Sequence, residues 1–215
     1  MRAPVKLYLA SSNPGKLAEY RVLAETLAPV CSMEVELLPQ FETFPPFAED
    51  APTFAENAAG KALHYSRFHD GLIFADDSGL VVPALGGAPG VHSARYAGPN
   101  AASPERNAKL LAALRGKPAP ERKAHFVCAI TLAEHGRARA VVTASVDGEI
   151  LEAPRGTEGF GYDPVFYFPP LKKAFAEIPA TEKNQHSHRG QAFRKLAMFL
   201  ASCPPRRGAA PLRPI

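Results

Sequence analysis

The sequence predicts an α/β protein, a mixed central sheet flanked by helices, and three observations carry that reading. Near the front, apolar runs at Val5 to Ala10 and Leu72 to Ala75 each stand next to a stretch with helical spacing, as in parallel-type strand–helix units. Further on, alternating apolar and polar residues broken by two-residue turn signals read as an antiparallel meander. A final stretch, Gln191 to Leu200, again places its apolar residues at helical spacing.

Taken in chain order, Val5, Leu7, Tyr8, Leu9 and Ala10 suit the first strand. The polar joint Ser-Ser-Asn-Pro-Gly-Lys follows, and then Leu17, Tyr20, Leu23, Ala24 and Leu27 recur at helical spacing up to the breaker Pro29. Such a joint offers backbone N–H groups and the positive end of a helix, so an anion is its natural guest; an ordinary capped turn is the alternative. Thr53-Phe-Ala-Glu56 reads as a capping box that opens a helix running through Phe68. The segment "GLIFADDSG" gives a buried-type strand over Leu72 to Ala75 that ends in Asp76, Asp77, Ser78 and Gly79. Ligands of open α/β sheets bind at the carboxyl ends of strands, which makes these acids functional candidates; capping the turn at Ser78-Gly79 is the alternative.

Ser103-Pro104-Glu105 caps a helix through Leu110, Leu111 and Leu114 that stops at Gly116. In "HFVCAITLA", Phe126, Cys128, Ile130 and Leu132 share one face, and after His135-Gly136 the run "RARAVVTASV" is the hairpin partner. Asp147-Gly148 is expected to turn the chain into a short strand at Ile150, and Val165 to Phe168 makes one more. The last helix carries Phe193, Leu196, Phe199 and Leu200.

The 215 residues, 46% hydrophobic and 21% charged, suffice for one full core or two lobes sharing one. A net charge of +4 and a pI near 9.0 raise the question of nucleic acid. Three of the basic residues, Arg206, Arg207 and Arg213, fall in the segment "PPRRGAAPLRPI"; without them 22 basic residues face 21 acidic ones. No polyanion-binding face is indicated, and residues 204–215 are expected to form an extended or disordered tail after a single domain at 1–203. Cys31, Cys128 and Cys203 are few, odd in number and widely spaced, which fits a reducing, cytoplasmic setting better than a disulfide framework or a zinc site. No apolar stretch reaches the length of a membrane span, and the start lacks a signal-peptide core.

Familiar phosphate and nucleophile motifs fail. A P-loop needs glycine five positions before its Gly-Lys pair and Ser or Thr after it, where Gly15-Lys16 has Ala10 and Leu17. Gly86, Gly87 and Gly90 do not form a dinucleotide fingerprint, and no G-x-S-x-G elbow occurs. What remains is a scattered polar set: Asn13 and Lys16; Glu49 and Asp50; Asp76, Asp77 and Ser78; Ser93 and Arg95; Gly161, Tyr162 and Asp163; Lys183; His188 and Arg189. Acids able to hold a hard cation, with lysines and an arginine able to meet phosphate oxygens, are what a triphosphate requires. For His188 and Arg189 a solvated first helical turn is the alternative, and Glu56 serves as the capping-box acid.

The segments "SSNPGK", "TFAENAAGKA", "FADDSGL", "LGGAPGVHSARYAG", "EGFGYDPVF" and "EK" followed by "SHRGQAF" occur in order from about Leu7 to Leu200. In order and spacing they resemble the noncanonical purine nucleoside triphosphate pyrophosphatases, the inosine triphosphatase-like family. The resemblance implies a forked mixed sheet with two lobes around a nucleotide cleft, a homodimer, and Mg²⁺-dependent hydrolysis of ITP, dITP and XTP to the monophosphate and pyrophosphate. It also implies that Ser11, Ser12, Asn13, Pro14, Gly15 and Lys16 form the phosphate loop, with Ser-Ser where many relatives carry Thr-Gly.

By the same resemblance, Asp77 is the proton acceptor and a metal ligand, Ser78 lies beside the substrate, and Glu49 is a second metal ligand that Asp50 could replace. Phe160, Gly161, Tyr162 and Asp163 pack around the base, and Lys183, His188 and Arg189 contact the substrate. Donors from Arg189 and His188 to a 6-oxo purine would favour inosine and xanthine over adenine. Ser93 and Arg95 belong to a segment that serves ligand, fold or dimer. Two rival readings are the fold-related septum-associated pyrophosphatases, whose motifs match less well, and a nucleotide-binding regulator without turnover, which the presence of Asp77 argues against.

Overall fold

A computed structural model describes residues 3–203, so the tail expected at 204–215 lies outside the described residues. The expected mixed sheet is present. Among the described residues seven strands are hydrogen-bonded in the order β2-β1-β3-β4-β5-β6-β7. They are β1 (Val5–Leu9), β2 (Met33–Leu37), β3 (Leu72–Val81), β4 (Lys123–Glu134), β5 (Arg137–Ile150), β6 (Phe166–Phe168) and β7 (Lys173–Ala174). β1 pairs in parallel with β2 and β3, whereas β6 pairs antiparallel with β5 and β7. Among the described residues five α-helices accompany them: α1 (Pro14–Thr26), α2 (Phe54–Tyr65), α3 (Ser103–Ala113), α4 (Ala180–His186) and α5 (His188–Ser202).

The chain forms two compact units. The first takes the chain up to Asp77, the tip of the β4–β5 hairpin at Ala129–Thr143, and the chain from Ala192; the second takes Ser78–Cys128 and Ala144–Gln191. In the first unit, Leu7 and Leu9 of β1 are fully buried, as are Ile73 and Phe74 of β3. The Tyr20 ring of α1 lies 5.0 Å from both Phe74 and Phe193. α2 starts as expected: Thr53 Oγ1 accepts from the Glu56 N–H and donates to the Glu56 carboxylate. It stops at Tyr65, three residues before the expected Phe68. At the hairpin tip His135 and Gly136 have φ of 48° and 71°, the left-handed pair that a two-residue turn between twisted strands requires.

The core of the second unit gathers Leu80, Val82, Leu110, Leu114, Phe126, Val146, Phe166 and Phe175. Several boundaries differ from the sequence reading. β3 does not end at Ala75 but runs through Asp76 and Asp77 to Val81, because each acid has a partner (below) and Leu80 is again an apolar core residue. Asp147-Gly148 makes no turn. Gly148 is glycine because a Cβ there would collide with the Phe166 ring and the Tyr167 carbonyl of the neighbouring β6, so β5 continues straight to Ile150. Ser103 is the first residue of α3 rather than its cap, and Glu105 reaches back to the Ala102 N–H at 2.7 Å. Val165 belongs to a short 3-10 turn that precedes β6. The last helix begins at His188, earlier than Gln191, with the Gly190 N–H bonded to Ser187 Oγ at 3.1 Å. β2, β7 and α4 were not foreseen.

Candidate functional site

In the first unit the site grows from the joint between β1 and α1. β1 pairs with β3 in register Leu7 to Leu72 and Leu9 to Phe74, and the Ala10 N–H still reaches the Phe74 carbonyl at 2.9 Å. The chain then leaves the sheet. Asp76 and Asp77 therefore stand just beyond the carboxyl end of β1, within β3 rather than at its end. The Ser11–Lys16 loop folds by local bonds: the Asn13 N–H donates to Ser11 Oγ at 3.1 Å, and Asn13 Oδ1 accepts from the Gly15 and Lys16 N–H groups at 2.9 and 3.3 Å. The Asn13 side chain thus caps α1. Pro14 opens the helix with a preset φ, and Ser12 and Asn13 are exposed.

Lys16 projects from the first turn of α1 to Asp76. Its Nζ lies 2.9 Å from Asp76 Oδ1 and 3.4 Å from the Asp76 carbonyl. Asp77 is 8% exposed, and its Oδ2 accepts from Asn57 Nδ2 of α2 at 2.9 Å. Burial is the main cause that pushes the Asp77 carboxyl up from 3.8 to about 6; the Asn57 bond and Lys16 oppose it, whereas Glu49 and Asp76 add to it as neighbouring negative charges. Glu49 is paired with Lys61, one turn beyond Asn57 on α2. Lys61 and Asn57 were both absent from the sequence-based candidates. Their signal was the spacing Asn57, Lys61 at i, i+4 on a helix, one face of which must look toward a common neighbour.

This set suits a hard cation. Its donors are carboxylate oxygens, and Asp77 feels the charge of both Glu49 and Asp76. Among the described residues no group of three or more His, Cys, Asp or Glu is placed to hold a metal ion by itself. Mg²⁺ fits such a place, since it takes one or two carboxylates and fills the rest of its shell with water and substrate phosphates. Asp77 and Glu49 are the residues that could hold it.

The second unit brings together the other expected residues. Asp163 and Lys183 are 4% and 5% exposed, and Lys183 Nζ lies 2.9 Å from Asp163 Oδ2. The same oxygen accepts the Phe160 N–H at 2.9 Å, which shapes the Gly159–Gly161 turn; both glycines have positive φ. Asn107 of α3 donates to the Gly161 carbonyl at 3.1 Å. The Phe160 ring, 37% exposed, lies 5.5 Å from Lys183 Nζ and 5.3 Å from the Arg189 guanidinium. Arg189 also donates to Ser78 Oγ at 3.0 Å, and the His188 ring stacks on Phe126 with centroids 4.6 Å apart.

Tyr162 offers no open face. It is 4% exposed, its hydroxyl donates to the Ser93 carbonyl at 2.9 Å, and burial pushes its phenol up from the ordinary value. Ser93 in turn accepts the Leu80 N–H at 2.9 Å and donates to the Gly90 carbonyl, so its work is in the fold. Asp50 and Arg95 are exposed. Phe160 is then the exposed aromatic of the segment.

Comparison with known proteins gives a consistent result. The chain is 50% identical over 191 residues to a dITP/XTP pyrophosphatase of Geobacillus kaustophilus (strain HTA426), covering 89% of this chain and 92% of that protein. It is 51% identical over 193 residues to a dITP/XTP pyrophosphatase of Gloeobacter violaceus (strain ATCC 29082 / PCC 7421), covering 88% and 91%. Among solved structures, a HAM1 protein from Coxiella burnetii superposes with a TM-score of 0.81 at 42% identity, over 93% of this chain and all of that one. The profile of the Ham1 family matches residues 7–199, and the chain belongs to that family.

Proposed function

We propose that this chain hydrolyses noncanonical purine nucleoside triphosphates, ITP, dITP and XTP, to the nucleoside monophosphate and pyrophosphate, and so cleanses the nucleotide pool. Half-identical relatives named dITP/XTP pyrophosphatase support the reading. The observation that carries it is the meeting of the loop lysine with the buried acid step of β3: Lys16 on Asp76, with Asp77 next to it and held by Asn57. A cation that can face phosphate oxygens and a carboxylate with a raised proton affinity then share one place.

The first unit's residues deal with the triphosphate. The Ser11–Lys16 loop and the Lys16 ammonium receive phosphate oxygens, and Asp77 accepts the proton of the water that attacks the α-phosphorus. A carboxyl near 6 is a stronger base than a solvated aspartate and is still ionised at neutral pH. Asp77 and Glu49 would hold Mg²⁺, which when bound would neutralise the charge that builds on the departing pyrophosphate. Other residues deal with the base. The Phe160 ring stacks on the purine, Lys183 and Asp163 fix the turn that carries it, and Arg189 and His188 donate to a 6-oxo group, which adenine lacks.

The working unit in this reading is a cytoplasmic homodimer with a single pyrophosphatase domain at 1–203. The three cysteines are few, odd in number and widely spaced, in keeping with a reducing compartment. Neither nucleic acid nor a membrane is a partner, and among the described residues no helix is long and apolar enough to cross a membrane. The test is incubation with ITP, XTP, GTP and ATP plus Mg²⁺, with the products resolved by chromatography. Pyrophosphate from ITP and XTP at far higher kcat/KM than from GTP or ATP is the expected result. Orthophosphate as the first product would overturn the mechanism.

A further inference from the structure

Asn57 is 1% exposed, and its side chain makes three hydrogen bonds. Two go to one residue: Oδ1 accepts the Ala51 N–H at 2.9 Å and Nδ2 donates to the Ala51 carbonyl at 3.4 Å. The third runs from Nδ2 to Asp77 Oδ2 at 2.9 Å. The Ala51 N–H settles the orientation of the amide, because only an oxygen can accept from it. The amine end must therefore face Asp77. Asp77 Oδ2 is thereby offered a neutral donor.

Ala51 lies two residues after Glu49, whose carboxylate is held by Lys61, four residues beyond Asn57 on the same face of α2. One helix face thus grips both acids. We propose that Asn57 is a positioning residue for the hydrolysis: it fixes the Asp77 carboxylate directly and the Glu49-bearing segment through Ala51, so that the two acids keep one mutual arrangement. A buried amide with both ends committed costs little reorganisation when substrate arrives, which is what preorganised catalytic groups require. The alternative donor for such a site, a lysine or arginine, would neutralise Asp77 and weaken its hold on a cation. An uncharged amide orients the carboxylate without cancelling its charge.

This inference rests on the role given to Asp77 above, and the experiment separates the two. Asn57→Asp keeps the shape and the acceptor for the Ala51 N–H but removes the donor to Asp77; Asn57→Ser removes the reach without adding charge. Both are compared with wild type and Asp77→Asn for kcat and KM on ITP and for binding of Mn²⁺ alone, followed by the free-ion electron paramagnetic resonance signal. Circular dichroism and thermal melting select the variant that remains folded. The expected result for a folded Asn57 variant is a fall in kcat of about 100-fold with KM changed less than about threefold, and Mn²⁺ affinity weakened about 10-fold or more. A folded Asn57 variant with wild-type kcat and Mn²⁺ affinity, beside an inactive Asp77→Asn, overturns the inference and leaves the role of Asp77 standing. An active Asp77→Asn overturns that role, and the inference with it.

Discussion

The ammonium of Lys16 rests 2.9 Å from the carboxylate of Asp76, an acid that is 1% exposed, and not on Asp77 beside it. The two adjacent acids of β3 are thereby divided. Asp76 takes the lysine and anchors it, whereas Asp77 takes only the neutral Asn57 amide and keeps its charge. Lys16→Ala withdraws a charge-assisted bond from a buried carboxylate and should lower stability by about 2 kcal/mol in urea unfolding. It should also raise KM for ITP at least about tenfold, about 1.4 kcal/mol of lost phosphate binding.

Asp77 gives the opposite stability effect. Its carboxyl is raised from 3.8 to about 6, chiefly by burial, so the fold favours the protonated form. The corresponding stabilisation is complete below about 3.8 and is lost as pH rises through 6. At neutral pH the ionised acid is therefore a cost. A full two-unit shift corresponds to about 3 kcal/mol, and with relaxation about 1–2 kcal/mol is expected. Asp77→Asn should accordingly melt higher than wild type at pH 7.5 in chelator, with the difference vanishing toward pH 4, while turnover of ITP falls by about three orders of magnitude or more. A melting difference that grows toward acid would contradict the assignment.

Phe160 is the exposed ring between two cations of its own unit, and its removal leaves the buried Asp163–Lys183 pair in place. Phe160→Ala should raise KM for every purine triphosphate about tenfold, the worth of one base–aromatic stack, with the melting temperature little changed. Arg189→Ala should instead narrow the preference for ITP over ATP. Steady-state kinetics on the two nucleotides distinguishes a loss of stacking from a loss of discrimination.

Gly190 sits where α5 begins, and a Cβ on it would run into the Asn184 carbonyl of α4. The neighbour is backbone and cannot swing aside. Gly190→Ala should cost about 1–3 kcal/mol in stability and displace His188 and Arg189, which precede it. Chemical denaturation measures the first effect and the ITP-to-ATP ratio the second.

The parallel units at the front, the hairpin and the last helix were legible because their apolar periodicity matched one element each. The boundaries that moved did so for tertiary reasons. Asp76 and Asp77 look like the end of a strand until Lys16 and Asn57 supply partners, and Gly148 looks like a turn until Phe166 needs its space. β2, "MEVEL", alternates in so short a run, with glutamates between its apolar residues, that nothing marked it as a strand. The acid at 77 and the loop lysine stood out as candidates from motif order, and Lys16 meets Asp76, the acid next to 77. Asn57 did not stand out, because an asparagine in the first turns of a helix reads as a bystander until its two amide ends are seen to be committed. Tyr162 was legible as part of the right segment, but its burial and its bond to Ser93 depend on a residue 69 positions away.

In the proposed reaction Asp77 directs water at the α-phosphorus. Hydrolysis of ITP in ¹⁸O-enriched water, with the products analysed by mass spectrometry, tests this most directly. Heavy oxygen in inosine monophosphate and none in pyrophosphate is the expected result; label in pyrophosphate, from attack at the β-phosphorus, or release of labelled orthophosphate would overturn the role of Asp77.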